Sequence, residues 1–390
     1  MADMRVAALV TEYFRGSHAD VLVTKILEGY ELYGERMNAR VSLASIYLEQ
    51  ADDEDIGVGL AHKHGVPMFE SIGEALVIGG TGVNVDGVLL IGEHGHYFEN
   101  ELGQQLYPRR RFFEAAIAAM VSAGRFVPIF NDKHLDQRFV DAKWMASTAK
   151  RLGVPLLAGS SLPLAWRDPA LEWPLGVEVS DALVIAYGPI ERYGFHALEA
   201  LQCMVERRAG GETGVSSVQC LEGEAVWVAG REGRWSRALF DAALATIPTG
   251  PNADPERDTP NPIAFLVEYA SGLRGTVILL NEFVSSFGFA AQRDNQVDAC
   301  EFFLQDYPPH GHFTFLLRQI ETMVLTGAAP YPAERTLLTT GVLDAAMQSR
   351  WKGHVPLATP ELDVVYTATA SVPETGVGQP LPERKPFALF

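Results

Sequence analysis

Three short stretches of this chain carry side chains whose types could do chemistry: Thr11-Glu12-Tyr13-Phe14-Arg15-Gly16-Ser17-His18-Ala19-Asp20, Gly92-Glu93-His94-Gly95-His96 and Asn131-Asp132-Lys133-His134. Imidazole and carboxylate together suit zinc, manganese or iron. His94, His96 and His134 therefore form a candidate divalent-metal set, with Glu93, Asp132, Glu12 and His18 as further ligand types nearby. The same groups suit general acid/base work, in which a lysine such as Lys133 exchanges a proton with a substrate hydroxyl.

Each stretch follows an apolar run that reads as a buried strand: Arg5–Val10, Val85–Ile91 and Phe126–Phe130. Val41–Leu48 and Val154–Ala158 read the same way. Ala19–Leu32, Ile56–His64 and the amphipathic Phe112–Ala123 read as helices, the second ending at Gly65 as a C-terminal cap would. Strand and helix alternate over the first ~160 residues, the pattern of βαβ units and a parallel sheet. Such sheets bind ligands outside the carboxyl ends of their strands, so the three stretches share one edge. Side chains alternate along a strand, so a Lys133 facing the ligand predicts that Asp132 and His134 point away while the strand lasts.

The first stretch sits where a dinucleotide pyrophosphate would meet a glycine-rich turn at a helix N-terminus, yet Gly16 is the one glycine there. Either a cofactor is held unusually, by Glu12, Gly16, Ser17, His18, Glu93 and His94, or another ligand has taken its place.

The polar stretch from Tyr97 to Arg111 is longer than a compact connection needs, and Arg109, Arg110 and Arg111 read as a solvated face. From about residue 180 the pattern becomes strand-rich, with Ser217–Leu221, Ala225–Ala229, Ile263–Tyr269 and Gly275–Leu280 as strands and Asn252–Pro262 as a loop. Phe313–Thr326 and Ala333–Ser349 read as helices. His310-Gly311-His312, beside Pro308-Pro309, reads as a loop before the first of them and receives no role. The fold class is α/β: a Rossmann-like, doubly wound parallel sheet over residues 1–135, an α/β domain with an open, largely antiparallel sheet over 136–370, and a Pro- and Gly-rich arm over 371–390.

The chain has 390 residues, 47% hydrophobic, enough for two cores. Its net charge of −18 argues against nucleic acid or an anionic membrane as partner. Cys203, Cys220 and Cys300 fit neither a zinc site nor a disulfide framework and read as reduced and buried. There is no export-type leader and no apolar run of membrane-spanning length, so the expected location is cytoplasmic. An open sheet face in the second domain would expose apolar strands, which predicts a homo-oligomer.

The segments Val85-Asp-Gly-Val-Leu-Leu-Ile-Gly-Glu-His94-Gly-His96 and Ala123-Gly-Arg-Phe-Val-Pro-Ile-Phe-Asn131-Asp-Lys133-His134-Leu135 are followed by Asp141-Ala-Lys-Trp, Gly153-Val-Pro-Leu-Leu-Ala-Gly-Ser-Ser and Gln319-Ile-Glu-Thr-Met-Val-Leu-Thr-Gly-Ala-Ala-Pro. In order and spacing they resemble the Gfo/Idh/MocA family of sugar and polyol oxidoreductases over most of residues 1–360. The resemblance implies a doubly wound domain beside an antiparallel-sheet domain, and hydride transfer between a sugar-ring carbon and the nicotinamide of NAD or NADP. It also implies that Lys133 binds the reacting hydroxyl and that His196, in Tyr193-Gly-Phe-His-Ala-Leu-Glu, is the acid/base histidine. The chain departs from the family pattern in the first loop, at the end of the second strand (Ile46-Tyr47-Leu48-Glu49), at His134 in place of proline and at Arg192 in place of aspartate.

The expected function is thus a sugar- or polyol-active oxidoreductase with an atypically bound NAD(P). One alternative is a non-redox lyase, hydrolase or isomerase on a carbohydrate-like substrate, with or without a metal ion; another is a catalytically silent binding protein.

Overall fold

The computed structural model describes residues 4–385, which divide into two compact units. The first gathers the residues up to Glu99, Gln105–Ser161 and Gln305–Ala333. Its strands are β1 (Arg5–Val10), a small ribbon of β2 (Tyr30–Leu32) with β3 (Glu35–Met37), β4 (Ser42–Leu48), β5 (Met68–Phe69), β6 (Gly87–Ile91), β7 (Ile129–Asp132) and β8 (Leu156–Gly159). Six of them form one sheet in the order β5-β4-β1-β6-β7-β8, and every pairing is parallel. β1 and β6 carry continuous apolar runs because both faces of a parallel sheet are covered. The strand order turns back between β1 and β6, so the loops after these two strands flank the switch point where open α/β sheets bind ligands.

The helices of this unit are α1 (Lys25–Glu28, entered through a π-helical turn over Asp20–Thr24), α2 (Gly57–His64), α3 (Ile72–Val77), α4 (Arg109–Ala123) and α5 (Phe139–Leu152). α4 and α5 end at Gly124 and Gly153, whose left-handed conformation turns the chain back toward the next strand. The helix expected over Ala19–Leu32 stops at Glu28, because Gly29 has φ +79° and Tyr30–Leu32 pairs into the ribbon instead. The helix Gly311–Thr326 also belongs here. Val324 lies so close to β6 that a Cβ on Gly87 would come within 2.7 Å of it, and the buried Glu321 accepts from the Tyr30 hydroxyl and from Arg40.

A boundary at residue 135 would cut this sheet: β8 pairs with β7, so residues 136–161 belong to the first unit, as do 305–333.

The second unit holds Asn100–Gln104, Leu162–Leu304 and the chain from Glu334 onward. Its eight-stranded, mostly antiparallel sheet runs β16-β11-β12-β13-β10-β14-β15-β9. The strands are β9 (Trp166–Asp168), β10 (Val179–Ala186), β11 (Val215–Glu222), β12 (Ile263–Tyr269), β13 (Arg274–Leu279), β14 (Phe287–Arg293), β15 (Gln296–Phe303) and β16 (Leu357–Ala358). α6 (Ile190–Val205) and the helix Glu334–Trp351 pack on it. Two expectations change here. Ala225–Ala229 is not a strand but part of the helix Glu224–Arg231, whose Val226, Trp227 and Ala229 recur at helical spacing on its buried side. With Trp235, Leu239 and Phe240 they cover Leu183, Ile185, Leu266 and Ile278, so the sheet face that was expected to lie open has its own apolar cover. The exposed face that motivated the homo-oligomer is absent over the central parts of β10, β12 and β13, where residues 182–186, 264–267 and 277–279 are buried.

Of the arm, the described part to residue 385 lies along this unit, with the Gly376 amide donating to Leu164 and Arg384 pairing with Glu301. Cys203, Cys220 and Cys300 are buried free thiols, and burial pushes Cys203 up to about 11. Among the described residues no helix is long and apolar enough to cross a membrane.

Candidate functional site

All three reactive stretches lie in the first unit, at the carboxyl edge of its sheet. Thr11, just past β1, donates its hydroxyl to the Glu93 carbonyl at 2.7 Å and ties the loop after β1 to the loop after β6. Glu93 follows Gly92, and glycine is required there because a Cβ would meet Arg109 Cγ at 2.9 Å. The buried Glu93 carboxylate accepts from Lys133 Nζ at 2.5 Å and from Arg109 Nη2 at 3.0 Å. Arg109 also donates to His134 Nδ1 at 2.8 Å, which fixes that nitrogen as the unprotonated one because a guanidinium only donates.

β7 delivers the other groups. Asp132 Oδ2 receives His18 Nδ1 at 2.6 Å, while Asp132 Oδ1 is buried with no hydrogen-bond partner. Strand alternation predicted that Asp132 and Lys133 would point apart. The strand ends at Asp132, however, and Lys133 takes φ +58°, so the lysine turns back to Glu93. The Asn131 amide braces this turn by donating to the His134 carbonyl at 3.1 Å. The His18 ring stands edge-on to Phe313 (4.9 Å between centroids) and to His94 (5.9 Å), and Phe14 covers His94 (5.0 Å).

Burying these charges is costly unless each is paired, and a carboxylate between two cations satisfies that condition. Burial alone would raise the Glu93 carboxyl. The Lys133 ammonium, followed by His18, Arg109 and His94, outweighs it and holds Glu93 well below the usual carboxylate range. Nearby Asp136 has no such balance: burial pushes it up to about 6, against the charge of Arg109 and the Arg110 backbone N–H. Burial, with Lys25 and His310 beside it, keeps His312 well below the usual histidine range, and burial lowers Lys25 to about 8.

The first loop is satisfied from within. The Gly16 N–H donates to Asp20 Oδ2 (2.9 Å), the Ser17 N–H to the Phe14 carbonyl (3.1 Å) and the Asp20 N–H to Ser17 Oγ (3.2 Å). Three amides of this loop, those of Gly16, Ser17 and Asp20, are therefore occupied, the first of them by a carboxylate. Glu12 and Asp52 add acidic groups close to each other at the same edge. At the end of β4, Glu49 accepts from the Tyr97 hydroxyl at 2.6 Å and pairs with Arg111. These residues do not fit a dinucleotide held in the usual glycine cradle.

The expected metal set is not assembled. His134 faces the Arg109 guanidinium, and among the described residues the one grouping of ligand atoms within 4.8 Å is Glu12, Asp52 and His96. His196 belongs to the second unit, half-buried on α6 with its ring edge-on to Tyr193 at 5.6 Å.

Arg109 was hidden in an arginine run that read as a solvated face. That reading holds for Arg110, on Asp141 and Trp144, and for Arg111, on Glu49. Arg109 has no exposed surface. The signal was its phase: Arg109, Phe112, Phe113 and Ala116 follow the i, i+3, i+4, i+7 spacing of the buried face of α4.

No family model matches the sequence, and no curated protein does. Solved structures do match. GenD2 from gentamicin A biosynthesis, in complex with NAD, aligns with a TM-score of 0.56 at 16% identity, covering 92% of this chain and 97% of that one. A probable dehydrogenase from Thermotoga maritima aligns at 0.56 and 14% identity, covering 92% and 100%. A scyllo-inositol dehydrogenase from Lactobacillus casei, with NAD(H) and scyllo-inositol bound, aligns at 0.55 and 8% identity, covering 91% and 99%. What these proteins share with this chain is the fold, an α/β chain with a parallel sheet and a second, mostly antiparallel sheet.

Proposed function

We propose that this chain is an oxidoreductase acting at a hydroxyl-bearing carbon of a sugar- or polyol-like small molecule. One observation supports it above the others: at the switch point of a fold used by NAD-bound dehydrogenases stands a buried network in which Glu93 holds Lys133 and Arg109. Such a concentration of paired, buried ionisable groups at a ligand-binding edge is characteristic of sites that do chemistry. In this reading Lys133 hydrogen-bonds the substrate oxygen, its ammonium aimed by Glu93, and His196 on the second unit is a further acid/base group.

NAD or NADP is the redox partner the reading requires. With the Gly16 and Ser17 amides occupied, it is held in an atypical way, with His18, Glu93 and His94 as the residues nearest to it and no pyrophosphate contact at the glycine cradle.

The test is to mix the protein with NAD or NADP and a panel of inositols, aldoses and linear polyols and follow reduced nicotinamide by absorbance. Turnover that falls at least about 100-fold in Lys133→Met and in His196→Ala supports the reading. Absence of turnover, together with absence of nicotinamide binding by calorimetry, overturns it. A second reading, motivated by the occupied Gly16 and Ser17 amides, is a non-redox lyase, hydrolase or isomerase at the same edge, and activity that persists without any nicotinamide would support it.

A further inference from the structure

We propose that His18, oriented by Asp132, is an acid/base residue of this edge: it accepts the proton of a substrate hydroxyl at Nε2 and then releases it to water. The inference rests on the reading of a hydroxyl-bearing substrate, but not on whether the reaction is redox.

The geometry is that of an oriented imidazole. A carboxylate only accepts, so the 2.6 Å contact to Asp132 Oδ2 places the His18 proton on Nδ1 and leaves the Nε2 lone pair as the basic site. The Asp132 side chain is fully buried, whereas that of His18 keeps 13% of its surface exposed, so the pair has one dry end and one end that a small molecule can reach. Phe313 and His94 stand edge-on to the ring and restrict its rotation. When the imidazole takes the proton, an N–H bond forms at Nε2 as the substrate O–H bond breaks, and the new positive charge lies against the Asp132 carboxylate.

The local backbone is built around this histidine. His18 opens a helix whose next turn, Asp20–Thr24, is π-helical, a distortion common at functional positions. Asp20 closes the loop in front of it by capping Gly16 and receiving the Thr24 hydroxyl. The loop that carries phosphate in dinucleotide-binding sheets is thus stabilised by its own acid, and its one imidazole is aimed from the strand edge two positions away in the sheet order.

The experiment is nitrogen-15 NMR of the full chain labelled at histidine, with His18→Gln to identify the His18 signals and Asp132→Asn as the perturbation. It is combined with mass mapping of histidine modification by diethylpyrocarbonate, which attacks the unprotonated ring nitrogen. The expected result is a His18 whose neutral tautomer carries its proton on Nδ1 and leaves Nε2 bare, modified about tenfold or more faster in the wild type than in Asp132→Asn. A His18 with Nε2 protonated, or one that diethylpyrocarbonate does not modify in the native protein, overturns the proposal. The wild-type tautomer decides the matter even where Asp132→Asn does not fold. Failure of the nicotinamide assay leaves this result untouched, so the two readings fail separately.

Discussion

Lys133 Nζ and Glu93 Oε1 lie 2.5 Å apart, both side chains buried, and the lysine reaches that position through a left-handed backbone turn at the end of β7. This pair converts the third reactive stretch from a row of alternating side chains into one half of a closed network with Arg109.

Glu93→Gln leaves Lys133 and Arg109 buried without their shared carboxylate, and the expected cost is about 3–5 kcal/mol by urea denaturation. The sign with pH follows from the lowered Glu93 carboxyl. The stability it contributes is fully present above the unfolded value of about 4.3 and is lost as pH falls through the lower folded value. A Glu93→Gln protein within about 1 kcal/mol of wild type at pH 7 contradicts the network.

Asp136 runs the other way. Its carboxyl is raised to about 6, so between its ordinary value and about 6 the folded chain binds more protons than the unfolded one, and stability falls as pH rises through that window. Asp136→Asn removes this slope: relative to wild type, the variant gains on the order of 3 kcal/mol on going from pH 4 to pH 7. Parallel stability curves for the two proteins would falsify the assignment.

Arg109 and Arg110 are adjacent, yet they should behave differently. Arg109→Met breaks a fully buried pair and costs about 3–5 kcal/mol, whereas Arg110→Ala, on a partly exposed pair, costs about 1 kcal/mol or less. Thermal unfolding of the two variants separates them; equal losses contradict the structure.

Asp20→Ala frees the Gly16 N–H and removes a carboxylate from the loop after β1. Any dinucleotide bound along this edge should bind more tightly to the variant, measured by calorimetric titration with NADH. Weaker binding would show that Asp20 itself contacts the cofactor.

Much of the fold was legible because β1 and β6 are continuous apolar runs and the parallel sheet that buries them leaves few other arrangements. Ala225–Ala229 reads as a strand because Ala-Val-Trp-Val-Ala is too short and too uniformly apolar to reveal its period; what decides it is Gly223, whose positive φ opens a helix. At the site, the residue types and the shared edge were visible, but the pairings were not. Alternation along β7 argued against Asp132 and Lys133 working together, and it failed because the strand stops between them. The sequence places His18 toward a cofactor, yet its side-chain hydrogen-bond partner, Asp132, lies 114 residues away in sequence, a distance over which spacing carries no information.

Redox chemistry on this edge requires a nicotinamide dinucleotide. The measurement that tests it most directly is mass spectrometry of the small molecules released when freshly purified, untreated protein is denatured. The expected result is a nicotinamide dinucleotide at close to one per chain, held despite the occupied loop amides. Its absence from protein that also fails to bind added NADH would contradict the oxidoreductase reading and leave non-redox acid/base chemistry at Lys133 and His18.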